Sequence, residues 1–397
     1  MTKLSERHNN ITEPQTLAMA RISRELQAKG IDVISLSIGE PDFDTPDFIK
    51  EAAKKAIDNN FSHYTPVPGY LDLREAICTK FKRDNGLTYS PDEIVVSTGA
   101  KQSIANVILA LIDKDDEVII PTPYWVSYSE QVKLADGKVV FIPSTVESNF
   151  KISADQLQKA ITPKTKLMIF STPCNPSGAV YTKAELKAFA DVIAQHPNLF
   201  VISDEIYEHI NFIGKHESLA QFDAIRNQVI TVNGVSKGFA MTGWRIGYIG
   251  APKWIAKACE KMQGQFTSGT SSIAQRAAMA AVLADPAVTQ QMCKAFKKRR
   301  DLVVSLLRDI PGIKANVPDG AFYVFPDISS YFGKRKDDLQ INNSHDLSMY
   351  LLHTANVALV SGDAFGDDNC VRFSYATSEE KLIEALKRVK AALALLN

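Results

Sequence analysis

Between residues 93 and 252 the chain carries seven short apolar runs rich in β-branched residues: EIVVSTG, DEVIIPTP, KVVFIPS, KLMIFSTP, LFVISDE, QVITVNG and RIGYIGAP. Continuous runs of this length, bounded by turn residues, predict strands buried on both faces. Helical periodicity separates most of them, for example over Lys101–Ile112, Ser127–Leu134 and Lys183–Ala194. Alternating strands and helices predict an α/β fold, a mostly parallel seven-stranded sheet between helices. In such sheets sites form beyond the carboxyl ends of the strands. The polar and glycine-rich residues do follow the strands here: Thr98-Gly99-Ala100-Lys101, Pro173-Cys174-Asn175-Pro176, Asp204-Glu205 and Asn233-Gly234-Val235-Ser236-Lys237. After about Asp285 the pattern changes. A basic helix over Gln290–Asp309 leads to GAFYVFPDI, a further helix, the strands NVALVSG and CVRFSYA, and a final helix over Glu379–Leu396. This predicts a smaller α+β domain, against which an N-terminal helix around Pro14–Lys29 packs. The expected division is a large domain over 48–290 and a small domain formed by both termini, 1–47 and 291–397.

Composition narrows the class. Hydrophobic residues make up 45% and charged residues 23%, the mix of a soluble globular protein. Lys and Arg number 45 and Asp and Glu 45, so no net charge draws the chain to nucleic acid or an anionic membrane. The opening MTKLSERHNNITEPQ lacks the apolar core of a secretory signal, and no apolar run approaches the roughly 20 residues of a membrane span. Cys78, Cys174, Cys259, Cys293 and Cys370 are scattered and contain no Cys-x-x-Cys pair. Free thiols in a cytoplasmic protein are therefore expected, with no metal site and no disulfide framework. Cys174 has no neighbouring His and reads as a packing or loop residue.

The segment SKGFAMTGWRIGY at Ser236–Tyr248 follows an apolar strand and carries the chemistry. Lys237, between Ser and Gly in a tight turn, has the side chain suited to imine formation once its surroundings favour the neutral amine. Arg245 lies in a second glycine-rich turn, and its planar fork suits a phosphate. Gly99-Ala100-Lys101 ends a strand and opens a helix, where backbone N–H groups and the helix dipole can face an anion. Arg372, between Val371 and Phe373 in an apolar strand, is costly to bury unless it meets an anion. Taken singly, Asp204 also reads as a helix cap or turn residue, Asn175 as a turn former, Trp125 as core, and Tyr64 as loop packing.

Together these residues resemble a known family. The lysine run, with SIGEPDFDTP, HYTPVPGYLDLREAI, STGAKQSI, PTPYWVSY, STPCNPSGAV, SDEIYEHI and VRFSYA, is similar to the class I aminotransferases of fold type I, above all their prokaryotic aspartate aminotransferase branch. The likeness covers nearly the whole chain. It implies a pyridoxal 5'-phosphate enzyme in which Lys237 carries the cofactor as an imine and later moves a proton between the substrate Cα and the cofactor's C4′. It further implies that Asp204 pairs with the ring nitrogen, Tyr207 and Asn175 bond the ring oxygen, and Trp125 stacks on the ring. Gly99, Ala100, Lys101, Ser236 and Arg245 would cradle the phosphate, joined by Tyr64 from the neighbouring subunit of a homodimer. Arg372 and Gly39 would receive the substrate α-carboxylate, with small-domain closure on substrate. The stretch GQFTSGTSSIAQ has no arginine before Arg276; the resemblance implies instead that Lys101, in the place of the lysine of the family subgroup's Gly-x-Lys-Gln turn, receives a distal carboxylate.

The implied activity is transamination in two half-reactions between aspartate or glutamate and 2-oxoglutarate or oxaloacetate. Aromatic, prephenate or neutral substrates are the alternative, as is a β-lyase of the same fold. Neither a Gly-x-Gly-x-x-Gly after the first strand nor a Walker-type phosphate loop occurs, which disfavours a nicotinamide dehydrogenase. The family-like motifs begin by residue 35, leaving no room ahead of them for the DNA-binding domain of an aminotransferase-like regulator.

Overall fold

The apolar runs form the strands their sequences predict. A computed structural model describes residues 4–397. Strands β1 (Ile94–Ser97), β2 (Glu117–Thr122), β3 (Lys138–Pro143), β4 (Thr165–Ser171), β5 (Phe200–Asp204), β6 (Val229–Gly234) and β7 (Gly247–Gly250) make one sheet in the order β1-β7-β6-β5-β4-β2-β3. β2 to β6 pair in parallel, whereas β7 is antiparallel to both β6 and β1. β1, β4, β5 and β6 therefore end on one edge, and the antiparallel β7 begins there. That topology brings the residues after β6 and those before β7 to a common rim.

The interior strands of the sheet are dry on both faces, while the edge strand β3 is only partly covered. Ile119, Met168, Val201 and Val229 pack under one helical layer, and Val118, Leu167, Ile202 and Ile230 under the other. The alternation along each strand assigns neighbours to opposite layers, as pleating requires. The predicted helices lie between the strands, Ala100–Leu111 (α1) and Lys183–Ile193 (α3) with ends shifted by a residue and Ser127–Leu134 (α2) with the bounds expected.

A third core gathers the two ends of the chain. The helix Ala287–Arg308 (α4) runs through residue 290 without a break and packs against the closing helix Glu379–Leu393 (α5). Between them β8 (Tyr323–Val324), β9 (Val360–Ser361) and β10 (Val371–Ser374) form an antiparallel sheet in the order β9-β10-β8. The predicted strand NVALVSG is divided. Val357–Ala358 pairs in parallel with Ile34–Ser35, and Val360–Ser361 turns to the antiparallel sheet. This core includes Ile206, Tyr207 and Ile210 from the loop after β5, and so reaches the rim of the large sheet. All five cysteines are free thiols. Among the described residues no helix is long and apolar enough to cross a membrane.

Candidate active site

A cavity of about 240 Å³ opens at the carboxyl rim of the sheet. Gly39, Ala100, Lys101, Trp125, Asn175, Asp204, Tyr207, Ser236, Lys237, Arg245 and Arg372 all line it. Of the predicted site residues only Gly99 and Tyr64 do not. Gly99 lies just behind the wall as the N-cap of α1 with φ 82°, and a Cβ there would collide with the Arg245 guanidinium. Tyr64 is fully exposed on the single chain, at 101%.

Lys237 follows β6, and its Nζ donates to the Gly39 carbonyl at 2.6 Å. Burial pushes its ammonium down to about 8, reinforced by Arg372 and Arg245 and opposed by Glu40 and Asp204. Asp204 ends β5 and is 3% exposed. Burial raises its carboxyl to about 6, against the hydrogen bonds it accepts from the Tyr128 hydroxyl at 2.6 Å and the Ile206 N–H at 3.2 Å. A group shifted by burial yet held ionised by fixed donors is poised to meet a cation. Trp125 stands edge-on to Tyr128, with centroids 5.5 Å apart.

The anion-binding features occupy two sides. At the rim of α1, the exposed Arg245 donates to the carbonyls of Thr242 at 2.9 Å and Thr98 at 3.5 Å. No carboxylate is among its partners. Its φ of 57° is unusual for a residue with a Cβ, a strained conformation of the kind found at binding sites. A Cβ on Gly247 would collide with the Ala100 nitrogen, so glycine allows α1 to start directly against β7. Lys101 projects nearby, its Nζ 5.1 Å from the Trp125 ring centroid, and its pKa is lowered by burial and then by Arg245.

On the opposite side Arg372, from β10, is 1% exposed. It donates to Asn175 Oδ1 at 3.0 Å and the Ser37 carbonyl at 2.6 Å, while its Nε has no partner. No carboxylate among the described residues pairs with it; the ring centroids of Tyr323 and Phe365 lie 4.6 and 4.9 Å from its guanidinium carbon. A buried guanidinium with an idle N–H and no counter-ion fits an anionic ligand. Because Asn175 accepts from Arg372 through Oδ1, its amide N–H groups remain for a ligand oxygen.

Two other expectations resolve plainly. Arg276 is not in the cavity: it pairs with Asp72 and lies between the rings of Phe61 and Tyr70, 4.7 and 4.2 Å from their centroids. Cys174 is buried with Sγ 3.7 Å from the Pro123 carbonyl, and burial pushes its thiol up, the opposite of nucleophile activation. Tyr128, Tyr323 and the N-terminal Pro14, Thr16 and Leu17 also line the cavity and carry no local sequence signal of doing so.

The architecture is that of the fold-type I α/β transferases. Over 100% of both chains it is similar to the aspartate aminotransferase from Rhizobium meliloti, with TM-score 0.96 and 42% identity. The aspartate aminotransferase from Thermus thermophilus with maleate is similar at TM-score 0.93 and 40% identity, covering 99% of this chain and 100% of that one. The family model for aminotransferase class I and II matches residues 31–389. A bifunctional aspartate aminotransferase and glutamate/aspartate-prephenate aminotransferase from Petunia hybrida is 48% identical, over 98% of this chain and 82% of its own. An aspartate/prephenate aminotransferase from Nitrosomonas europaea is 45% identical, over 98% and 100%. The chain belongs to the class I and II aminotransferase family. It is an aminotransferase.

Proposed function

We propose that the protein is a pyridoxal-phosphate-dependent aminotransferase acting on acidic amino acids, aspartate or glutamate, with 2-oxoglutarate or oxaloacetate as acceptor. The observation that carries this reading is one cavity containing Lys237, with its depressed pKa, Asp204, and the buried Arg372 that lacks a carboxylate partner. These residues fit the cofactor and its substrate by charge and donor set. Pyridoxal phosphate, when bound, supplies an aldehyde for amines and a protonated ring that takes up the electron pair released at the substrate Cα. Lys237 would hold the aldehyde carbon and, once released by substrate, carry the proton between Cα and C4′. Asp204, aligned by Tyr128, would keep the ring nitrogen protonated. Tyr207 and the Asn175 amide would donate to the ring oxygen, and Trp125 would cover one ring face. Arg245, Ser236 and the N–H groups of Gly99, Ala100 and Lys101 would hold the phosphate. Arg372 and Gly39 would receive the α-carboxylate, and Lys101 the distal one.

Arg372 and Gly39 belong to the portion formed by the two ends of the chain, which we take as a small domain of 1–47 and 291–397 beside a large domain of 48–290. Closure of the first on the second would exclude water from the cavity. Tyr64 would complete the phosphate site of a partner subunit in a homodimer in the cytoplasm. The relatives named for prephenate support it as a second acceptor.

A panel of half-reactions tests the assignment. Aspartate and glutamate should each bleach the visible band of the reconstituted enzyme, and a 2-oxo acid should restore it. Conversion by neutral donors alone would remove the role of Lys101, and release of ammonia with pyruvate would favour a lyase. Borohydride should fix the cofactor on Lys237 and on nothing in Lys237→Ala.

A further inference from the structure

Tyr323 on β8 is fully buried among the residues of the cavity, and three separate segments converge on it. Its hydroxyl lies 2.8 Å from the Tyr207 hydroxyl, with the two rings edge to face at 5.8 Å and 80°. Its ring face carries the Arg372 guanidinium at 4.6 Å. A Cβ on Gly39 would stand 2.7 Å from its hydroxyl, so a side chain there would crowd the phenol. Packing alone does not require that hydroxyl; the neighbouring Phe322 fills the same core without one.

We propose that Tyr323 is a positioning residue for the reaction: its hydroxyl donates to Tyr207, turning the Tyr207 proton toward the cofactor's ring oxygen, and its ring seats Arg372 for the substrate carboxylate. This rests on the reading that Lys237 holds the cofactor in this cavity. A phenol has one proton to give and lone pairs to accept with. When Tyr323 donates, Tyr207 keeps its own proton for the cavity, and each hydrogen bond of such a chain polarises the next. Burial raises the pKa of both Tyr323 and Tyr207, so each phenol keeps its proton and either hydroxyl has one to give. The charged groups around the pair are Arg372 beside both rings, with Asp204 and Lys237 beyond Tyr207.

The test uses the enzyme reconstituted with pyridoxal phosphate, as wild type, Tyr323→Phe and Tyr323→Leu, with thermal melting as a control for folding. A weaker Tyr207 donor leaves the ring oxygen to hold the neighbouring proton more tightly. In Tyr323→Phe the pH midpoint of the visible band should therefore rise by about half a unit. Affinity for maleate should stay within about twofold in that variant, because the ring under Arg372 remains. Tyr323→Leu should show the same rise and bind maleate about tenfold more weakly. An unmoved midpoint in Tyr323→Phe overturns the hydroxyl's role, and unchanged maleate affinity in Tyr323→Leu overturns the ring's. Failure of the underlying reading looks different: wild type would form no visible band and take no borohydride label at Lys237.

Discussion

The chemistry asked of Lys237 needs a usable fraction of uncharged amine near neutral pH, and the fold raises that fraction mainly by burial. An ordinary lysine titrates at 10.5, whereas here the value falls to about 8. The sign is that of a cation disfavoured by its surroundings: above about 8 most molecules carry the free base, and below it the nucleophilic fraction falls tenfold per unit. Mixing the cofactor-free protein with excess pyridoxal phosphate at a series of pH values should show this. The rate at which the visible band grows should rise to about pH 8 and then level. A lysine at the ordinary value would give a rate still climbing at pH 10. Asp204 is shifted in the complementary direction by the same burial, from 3.8 to about 6, so enclosure narrows the pH range over which the two groups carry opposite charges. Tyr128 secures one oxygen of that carboxylate from 76 residues away. No local motif announces the contact, which is why PTPYWVSY yields Trp125 to a reader of the sequence and leaves Tyr128 unnoticed.

At the level of elements, the large sheet was legible because each strand is a short apolar run, buried on both faces in all but the edge strand β3, a pattern that survives any pairing order. The smaller sheet was less so. NVALVSG reads as one strand, yet its halves pair with Ile34–Ser35 and with β10. Pairing is decided by distant segments that local periodicity cannot see. The same holds for a buried polar cluster behind the site. Lys80 ends the helix Leu71–Lys80, is 2% exposed, and pairs with Glu208 in the turn after β5. Asn85, brought round by the π-helical turn Phe81–Asn85, accepts from Lys80 and donates to Glu208, both at 2.8 Å. Burial opposes ionisation of Glu208, but Lys80, His209 and His216 outweigh it and hold the carboxyl well below its usual range. Removing one partner strands a buried charge, so Lys80→Met should cost about 3–5 kcal/mol. Urea unfolding checks this as a lower midpoint with an unchanged slope. A depressed carboxylate stabilises the fold above its unfolded pKa near 4.5, and this is lost as pH falls below that value. The difference between wild type and Lys80→Met should shrink in acid for that reason.

For the whole molecule, the exposed positions carry as much meaning as the buried ones. Arg245 and the fully exposed Tyr64 stand at the surface of the single chain, and a shallow depression lined by Thr98, Trp244, Arg245 and Thr270 opens beside the cavity. A phosphate site left open on that side is what a shared site would look like when one subunit is viewed alone. If Lys237 of one subunit works with Tyr64 of its partner, two defective proteins should repair each other. Lys237→Ala lacks the amine but still offers its Tyr64; Tyr64→Ala keeps the amine and lacks the phenol. In a mixed dimer one site receives both defects and the other neither. Unfolding and refolding an equal mixture yields half mixed dimers, each with one intact site, so activity should return to about one quarter of wild type from two weakly active parents. The same mixture combined without subunit exchange supplies the baseline. A site built within one chain would gain nothing from refolding, because every Lys237 would still face the Tyr64 of its own chain.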